Sequence, residues 1–261
     1  MRVLFFGDIV GKVGRQVVIK KINDLVDKYR IDFVVANGEN ASHGKGLTEN
    51  NYNELVNCGI NAITLGNHYG NKDDINRYID SADSLIRPAN LIKKFGGVGT
   101  RVFNVDGVRI RITNILGTAL MIEEVGNPYA TLKEIVDSSK DEIHIVDFHA
   151  EATSEKECLA YAFDGEVSAI LGTHTHVQTR DGHILKGGTA YISDIGMCGA
   201  YNGVIGFEKE SVMKKTLFGQ QSRFELLDKD DGLLSAVIID ISDETYKATE
   251  IFPIYQIFKM D

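Results

Sequence analysis

The sequence predicts an α/β fold, and three observations carry that expectation. Short apolar runs at residues 3–6, 33–36 and 60–65 alternate with helical patterns through the first third of the chain. Beyond Gly96 longer β-rich runs come in adjacent pairs. No linker rich in Pro, Gly or Ser, no low-complexity tract and no internal repeat divides the chain. A single domain over residues 1–261, built on one large mixed sheet or two packed sheets, follows from these.

Residues 3–6 read as a buried strand. Val18, Ile22, Leu25, Val26 and Tyr29 then share one helical face. Residues 33–36 form a second strand. Thr48 is placed to cap a helix around Leu55, which Gly59 closes. Residues 60–65 give a third strand and 72–79 a helix. Strands separated by helices imply parallel pairing through helical crossovers. Residues 102–105 and 108–115, joined across Asp106-Gly107, predict a hairpin. A helix follows Pro128, with Leu132, Ile135 and Val136 on one side. Residues 143–148 read as strand, 155–163 as helix and 167–171 as strand. After His176 the pattern reads as antiparallel, with strands at 190–193, 233–241 and 246–257.

Composition narrows the function. The 261 residues suffice for a sizeable core without disulfides or structural metals, and 43% hydrophobic with 25% charged residues is ordinary for a soluble protein. A formal net charge of -9 argues against nonspecific nucleic-acid binding through a basic surface, while leaving room for a local basic pocket. Long nucleic acid is therefore not expected as a partner. Cys58, Cys158 and Cys198 are odd in number and far apart, so neither a disulfide framework nor a thiolate zinc site is expected. The start is no signal peptide, and no apolar stretch approaches membrane-spanning length. A cytoplasmic protein without a membrane partner is expected; assembly with copies of itself is left open.

The strand ends carry the chemistry. Gly7-Asp8 ends the first strand, Asn37-Gly38-Glu39-Asn40 the second and Gly66-Asn67-His68 the third. His149 ends a later strand, and Gly172-Thr173-His174-Thr175-His176 another. Ligands of α/β sheets gather at that carboxyl edge, so these groups can converge although they span the chain. Two carboxylates, two amides and three imidazoles without a thiolate suit Mn²⁺, Fe or Zn²⁺ better than Ca²⁺. Seven ligands are too many for one ion, whereas a carboxylate bridges two ions about 3.5–4 Å apart in sites that act on phosphorus. Each group alone has a plain structural reading as a helix cap, turn residue or core histidine; the joint pattern is what points to metal.

The first loop, Gly7 to Gly14, invites comparison with phosphate-binding loops and departs from them. Its spacing is G-x-x-x-G-x-x-G rather than G-x-G-x-x-G, and Val13 stands where a P-loop needs Ser or Thr after Lys12. The glycines make the turn, and Asp8 is the functional residue.

Taken in order, G-D, G-E-N, G-N-H, an isolated His and G-T-H-T-H resemble the calcineurin-like metallophosphoesterase superfamily, whose pattern is D-x-H, G-D-x-x-D/R, G-N-H-D/E, H and G-H-x-H. Val10, Glu39 and Tyr69 depart from it. Those departures, with Gly7-Asp8-Ile9-Val10-Gly11, Gly172 to Thr179 and Ser193-Asp194-Ile195-Gly196-Met197, resemble one bacterial branch, the YmdB-type 2′,3′-cyclic-nucleotide 2′-phosphodiesterases. The resemblance covers nearly the whole chain. It implies a four-layer α-β-β-α sandwich of two mixed sheets flanked by helices. It implies two divalent ions, Fe or Mn favoured over Zn or Mg. Asp8, Glu39, Asn40 and His176 would hold one ion, and Glu39, Asn67, His149 and His174 the other. The implied reaction is opening of a cyclic nucleotide by metal-activated hydroxide, with His68 as general acid. A phosphomonoesterase or nuclease on the same core, or a metal-bound regulatory or scaffold protein, are the alternatives. His43 and Lys45 are read either as phosphate contacts or as a solvated loop, Asp194 as orienting a ligand imidazole or capping a turn. His144 and His183 are read as structural or exposed, and residues 199–206 as a candidate pocket mouth.

Overall fold

Two sheets stack face to face between two sets of helices in the computed structural model, which describes residues 1–139 and 141–260. The first half of the chain runs β1 (Arg2–Phe6), β2 (Asp8–Ile9), α1 (Gly11–Tyr29), β3 (Phe33–Asn37), α2 (Glu49–Asn57), β4 (Ala62–Thr64), α3 (Ile75–Tyr78), β5 (Leu85–Ile86), β6 (Thr100–Val105) and β7 (Val108–Leu116). The second runs α4 (Pro128–Asp137), β8 (Ile143–His149), α5 (Thr153–Ala162), β9 (Ala169–Thr173), β10 (His183–Ile184), β11 (Ala190–Ile192), β12 (Met197–Ala200), α6 (Lys209–Thr216), β13 (Gly232–Ile241) and β14 (Ala248–Phe258). One sheet has the order β2-β12-β13-β1-β3-β4-β5, with β14 paired to β13; the other has β10-β11-β9-β8-β7-β6.

Strand periodicity builds the layers. Val3 and Phe5 of β1 face the second sheet, packing with Val35, Ile112, Ile145 and Leu171 in the layer between the sheets. Leu4 and Phe6 point the other way, onto Val18, Ile22 and Leu25 of α1 and Leu55 of α2. The outer face of the second sheet is covered by α4 and α5 through Leu132, Leu159 and Ala160 against Val146, Phe148 and Ile170. The four-layer arrangement thus follows from side chains that point alternately to the two faces of strands buried on both. Helix α4 starts where Pro128 and an Asn127 cap dictate, with Asn127 Oδ1 accepting from Ala130 N at 2.9 Å.

The structure corrects several local expectations. The third strand is only Ala62–Thr64, and the helix expected over 72–79 is α3 followed by a 3₁₀ turn, Ile79–Ser81. Thr48 occupies the N-cap position of α2, but its Oγ1 faces Ser42 Oγ at 3.2 Å instead of capping. Strand β11 is not simply antiparallel: it runs parallel to β9, with Ala190 opposite Ala169, and antiparallel only to β10. The chain reverses twice here, and a two-residue β10 has no periodicity to reveal the first reversal. No helix among the described residues is long and apolar enough to cross a membrane.

Candidate metal centre

Parallel strands deliver the predicted groups to one edge. Asp8 follows β1 by two residues, Glu39 and Asn40 follow β3, and Asn67 follows β4, all in the first sheet. His149 ends β8, and His174 and His176 follow β9, in the second. The two sheets meet at this edge, where Glu39 Oε1 lies 3.2 Å from His149 Nε2. Close approach dictates two glycines. A Cβ at Gly7 would fall 2.0 Å from Gly196 O, and one at Gly66 would fall 2.2 Å from Glu39 Oε2 and 2.5 Å from His149 Nε2.

His149 Nε2 is a hub. Besides Glu39 it lies 3.0 Å from Asn67 Oδ1 and 3.0 Å from His174 Nδ1. Each of these side chains is aimed from behind. His149 Nδ1 is 2.9 Å from Thr173 Oγ1, which donates to Asp147 Oδ1 at 2.6 Å. Asn67 Nδ2 donates to Glu123 Oε1 at 3.3 Å, leaving Oδ1 turned inward. His174 Nε2 is 3.2 Å from Glu151 Oε2. On the adjoining side, His176 Nδ1 is 2.8 Å from Ile205 O, which leaves Nε2 facing Asn40 Nδ2 at 3.1 Å. A histidine held at one ring nitrogen by an oxygen presents the other as a ligand, the usual arrangement at metal sites.

Electrostatics point the same way. Burial pushes the Asp8 carboxyl up, against the pull of His176 and His149. Its Oδ2 accepts from His174 N at 3.1 Å, while buried Oδ1 has no hydrogen-bond partner among the described residues. Burial works against Glu39 too, but the charge and hydrogen bond of His149 hold its carboxyl below the ordinary range. Burial alone would lower His149; Glu39, Asp8 and Asp147 raise it to about 9. An orphaned buried carboxylate oxygen beside an imidazole cluster is what a cation would satisfy. Glu39, His149 and His174 place their donor atoms within 4.8 Å of one another, so the residues fit a metal.

Residues 4–254 match the sequence model described as YmdB-like protein. The chain belongs to the YmdB-like family. It is 42% identical over 253 residues to a Bacillus subtilis (strain 168) protein named 2′,3′-cyclic-nucleotide 2′-phosphodiesterase, covering 96% of this chain and 95% of that one. A Mycoplasma pneumoniae structure described as a novel phosphatase superposes with a TM-score of 0.93 at 38% identity, over 99% of this chain and 94% of the other. A Thermus thermophilus protein described as hypothetical gives 0.92 at 34%, over 99% and 100%.

This YmdB-like site also depends on contacts that its motifs do not show. His174 and His176 have φ of 112° and 67°, a strained backbone for side chains with a Cβ. Buried carboxylates hold the loop: Asp8 takes His174 N, and Asp194 Oδ2 takes Thr175 N at 3.0 Å. Asp194 Oδ1 also accepts from Gly196 N at 2.8 Å, and Oδ2 from the buried Lys156 Nζ at 3.0 Å. Asp194 therefore anchors the backbone of the histidine loop: of its two expected roles it takes the turn-capping one, and among the described residues it bonds no candidate ligand imidazole. Lys156, exposed by only 1%, escaped notice because it sits on α5 among ordinary helix residues. Glu123, half-buried, and Glu151, exposed, carry no sequence signal either, being single acids in unremarkable loops.

A cleft of about 780 Å³ opens beside the cluster, lined among others by Glu39, His43, Lys45, His68, His174 and His176. His43 and Lys45 thus face the site as well as solvent. His68 is half-buried, and burial lowers its pKa. Its backbone N donates to Glu39 Oε2 at 2.9 Å, while among the described residues its ring makes no hydrogen bond. Ile205, from the stretch expected at the pocket mouth, lines the cleft as well. His144 is buried with Nε2 2.8 Å from Thr113 Oγ1, and His183 is exposed, as read from the sequence.

Proposed function

We propose that this chain is a two-metal phosphodiesterase that opens 2′,3′-cyclic nucleotides at the 2′ oxygen and leaves a 3′-phosphate. The carrying observation is the convergence of Glu39, Asn67, His149 and His174 on one point, with Asp8, Asn40 and His176 beside it. The name of the Bacillus subtilis relative supports the substrate class. Asp8, Glu39, Asn40 and His176 would hold one divalent ion, and Glu39, Asn67, His149 and His174 the other, with Glu39 shared. Asn40 would do so through Oδ1, which requires a half-turn of the amide that now directs Nδ2 at Glu39 Oε1, 3.0 Å away. Carboxylate, amide and imidazole donors favour Fe or Mn.

Bound ions would supply charge for the phosphodiester oxygens and make water nucleophilic near neutral pH. The chain's own residues do the rest. Asp194 and Lys156 keep the histidine loop in its strained form. Thr173, Ile205 and Glu151 fix the imidazoles. His68 lines the cleft with its ring unengaged among the described residues, and would donate a proton to the departing 2′ oxygen, a role typically worth about 10²–10⁴-fold. The test is to load the protein separately with Mn²⁺, Fe²⁺ or Zn²⁺, supply 2′,3′-cyclic AMP, and identify the product by chromatography. Release of 3′-AMP is expected. Release of 2′-AMP would overturn the regiochemistry, and hydrolysis of simple phosphomonoesters alone would make the site a monoesterase.

A further inference from the structure

The cleft has the opposite charge balance to the chain. The sequence has 37 acidic against 28 basic residues, yet Lys45, Lys72, Lys215 and Arg223 all line this one space. They come from four segments: the loop after Glu39, the loop after His68, helix α6, and the stretch following α6. The carboxylates there are Glu39, in the ligand set, and Glu151, opposite His174. Among the described residues none of the four cations takes part in an ion pair.

An aromatic wall accompanies them. Phe207 and Phe224 line the cleft with ring centroids 5.5 Å apart, and Lys215 Nζ lies 5.2 Å from the Phe224 centroid. The loop bearing Lys45 is seated on that wall at Gly44, whose φ is +77° and where a Cβ would come within 2.8 Å of the Phe207 ring. Cations and aromatic surface are thus parts of one packed feature.

A 2′,3′-cyclic mononucleotide has one phosphate and one negative charge, which the two divalent ions of the proposed site would already balance. Four more cations find no partner in such a molecule. A ribonucleotide chain provides one phosphodiester per added nucleotide, each with a base able to stack on an aromatic ring. The volume is that of a ligand pocket, not of a groove for a duplex. We propose that the preferred substrate is a short oligoribonucleotide whose 3′ end carries the 2′,3′-cyclic phosphate. Lys45, Lys72, Lys215 and Arg223 take the upstream phosphates, and Phe224 offers its face to a base. In the reaction the oxygen of water bonds to phosphorus, the bond from phosphorus to the 2′ oxygen breaks, and that oxygen takes a proton. A 3′-phosphate end remains. The supplying reaction is RNA cleavage by transesterification, in which a 2′ hydroxyl attacks its own phosphodiester and expels the 5′ hydroxyl of the next nucleotide.

This inference rests on the phosphodiesterase reading above, and its test separates the two. The metal-loaded protein is assayed with 2′,3′-cyclic AMP and with an adenosine dinucleotide ending in the cyclic phosphate, at low and high salt. The dinucleotide is expected to have a kcat/KM about five- to tenfold higher, expressed in KM. That ratio falls toward one at high salt and in the double variant Lys215→Gln/Arg223→Gln. Equal kcat/KM for both substrates, or a ratio that survives both changes, overturns the inference alone. No hydrolysis of either substrate with any metal overturns the phosphodiesterase reading, and this inference with it.

Discussion

The ligand wall and the cationic wall of the cleft are built in opposite ways. The candidate ligands sit at or just past the ends of β1, β3, β4, β8 and β9, where paired strands set where each segment leaves the sheet and neighbouring oxygens fix each ring. Lys45, Lys215 and Arg223 are exposed side chains on loops or α6. Chemistry needs positioning to a fraction of an ångström, and buried strand ends give it. Charge attraction acts over several ångströms, so exposed cations suffice to hold a polyanion.

That contrast orders the expected effects. His68→Ala should reduce kcat by about 10²–10⁴-fold with metal content unchanged, which elemental analysis beside steady-state kinetics would show. Gly66→Ala forces a methyl into Glu39 and His149, and should remove both metal binding and turnover while circular dichroism stays native. Lys156→Met strands the buried Asp194 carboxylate. A loss of about 3–5 kcal/mol in denaturant unfolding is expected, with metal affinity falling as the histidine loop loosens. An unchanged unfolding midpoint would mean that Asp194 holds the loop without its lysine.

The smallest effect lies outside both walls. Burial depresses His144 to about 3, with the Arg111 charge adding to it, against about 6.5 unfolded. Between those values the unfolded chain binds a proton that the folded one refuses, so stability falls as pH drops below about 6.5. The slope from this residue approaches roughly 1.4 kcal/mol per pH unit. His144→Gln should flatten the pH dependence of the unfolding midpoint relative to wild type; an identical slope would assign the acid sensitivity elsewhere.

The same contrast explains what the sequence disclosed. The apolar runs at residues 3–6 and 33–36, the apolar face of α1 and the pairing across Asp106-Gly107 are local patterns, and each became the expected element. Every ligand candidate stood at a strand end, where a motif and a place in the fold coincide. What stayed hidden depends on long-range contact. The partnership of Lys156 with Asp194 crosses from α5 to the far side of the histidine loop. Strand β10 is too short for periodicity, and α6 carries only Ser211 and Val212 as buried residues. The cations come one from each of four segments, so no basic run marks them, and only Lys45, beside Glu39-Asn40, stands out in the sequence.

In the proposed function, five strand ends would build one site for two ions sharing Glu39. The direct measurement is the number of divalent ions per chain, by elemental analysis after loading, in the wild type, Glu39→Ala and His68→Ala. Two ions in the wild type, two in His68→Ala and fewer than one in Glu39→Ala are predicted. A single ion in the wild type, or two retained without Glu39, would contradict the account.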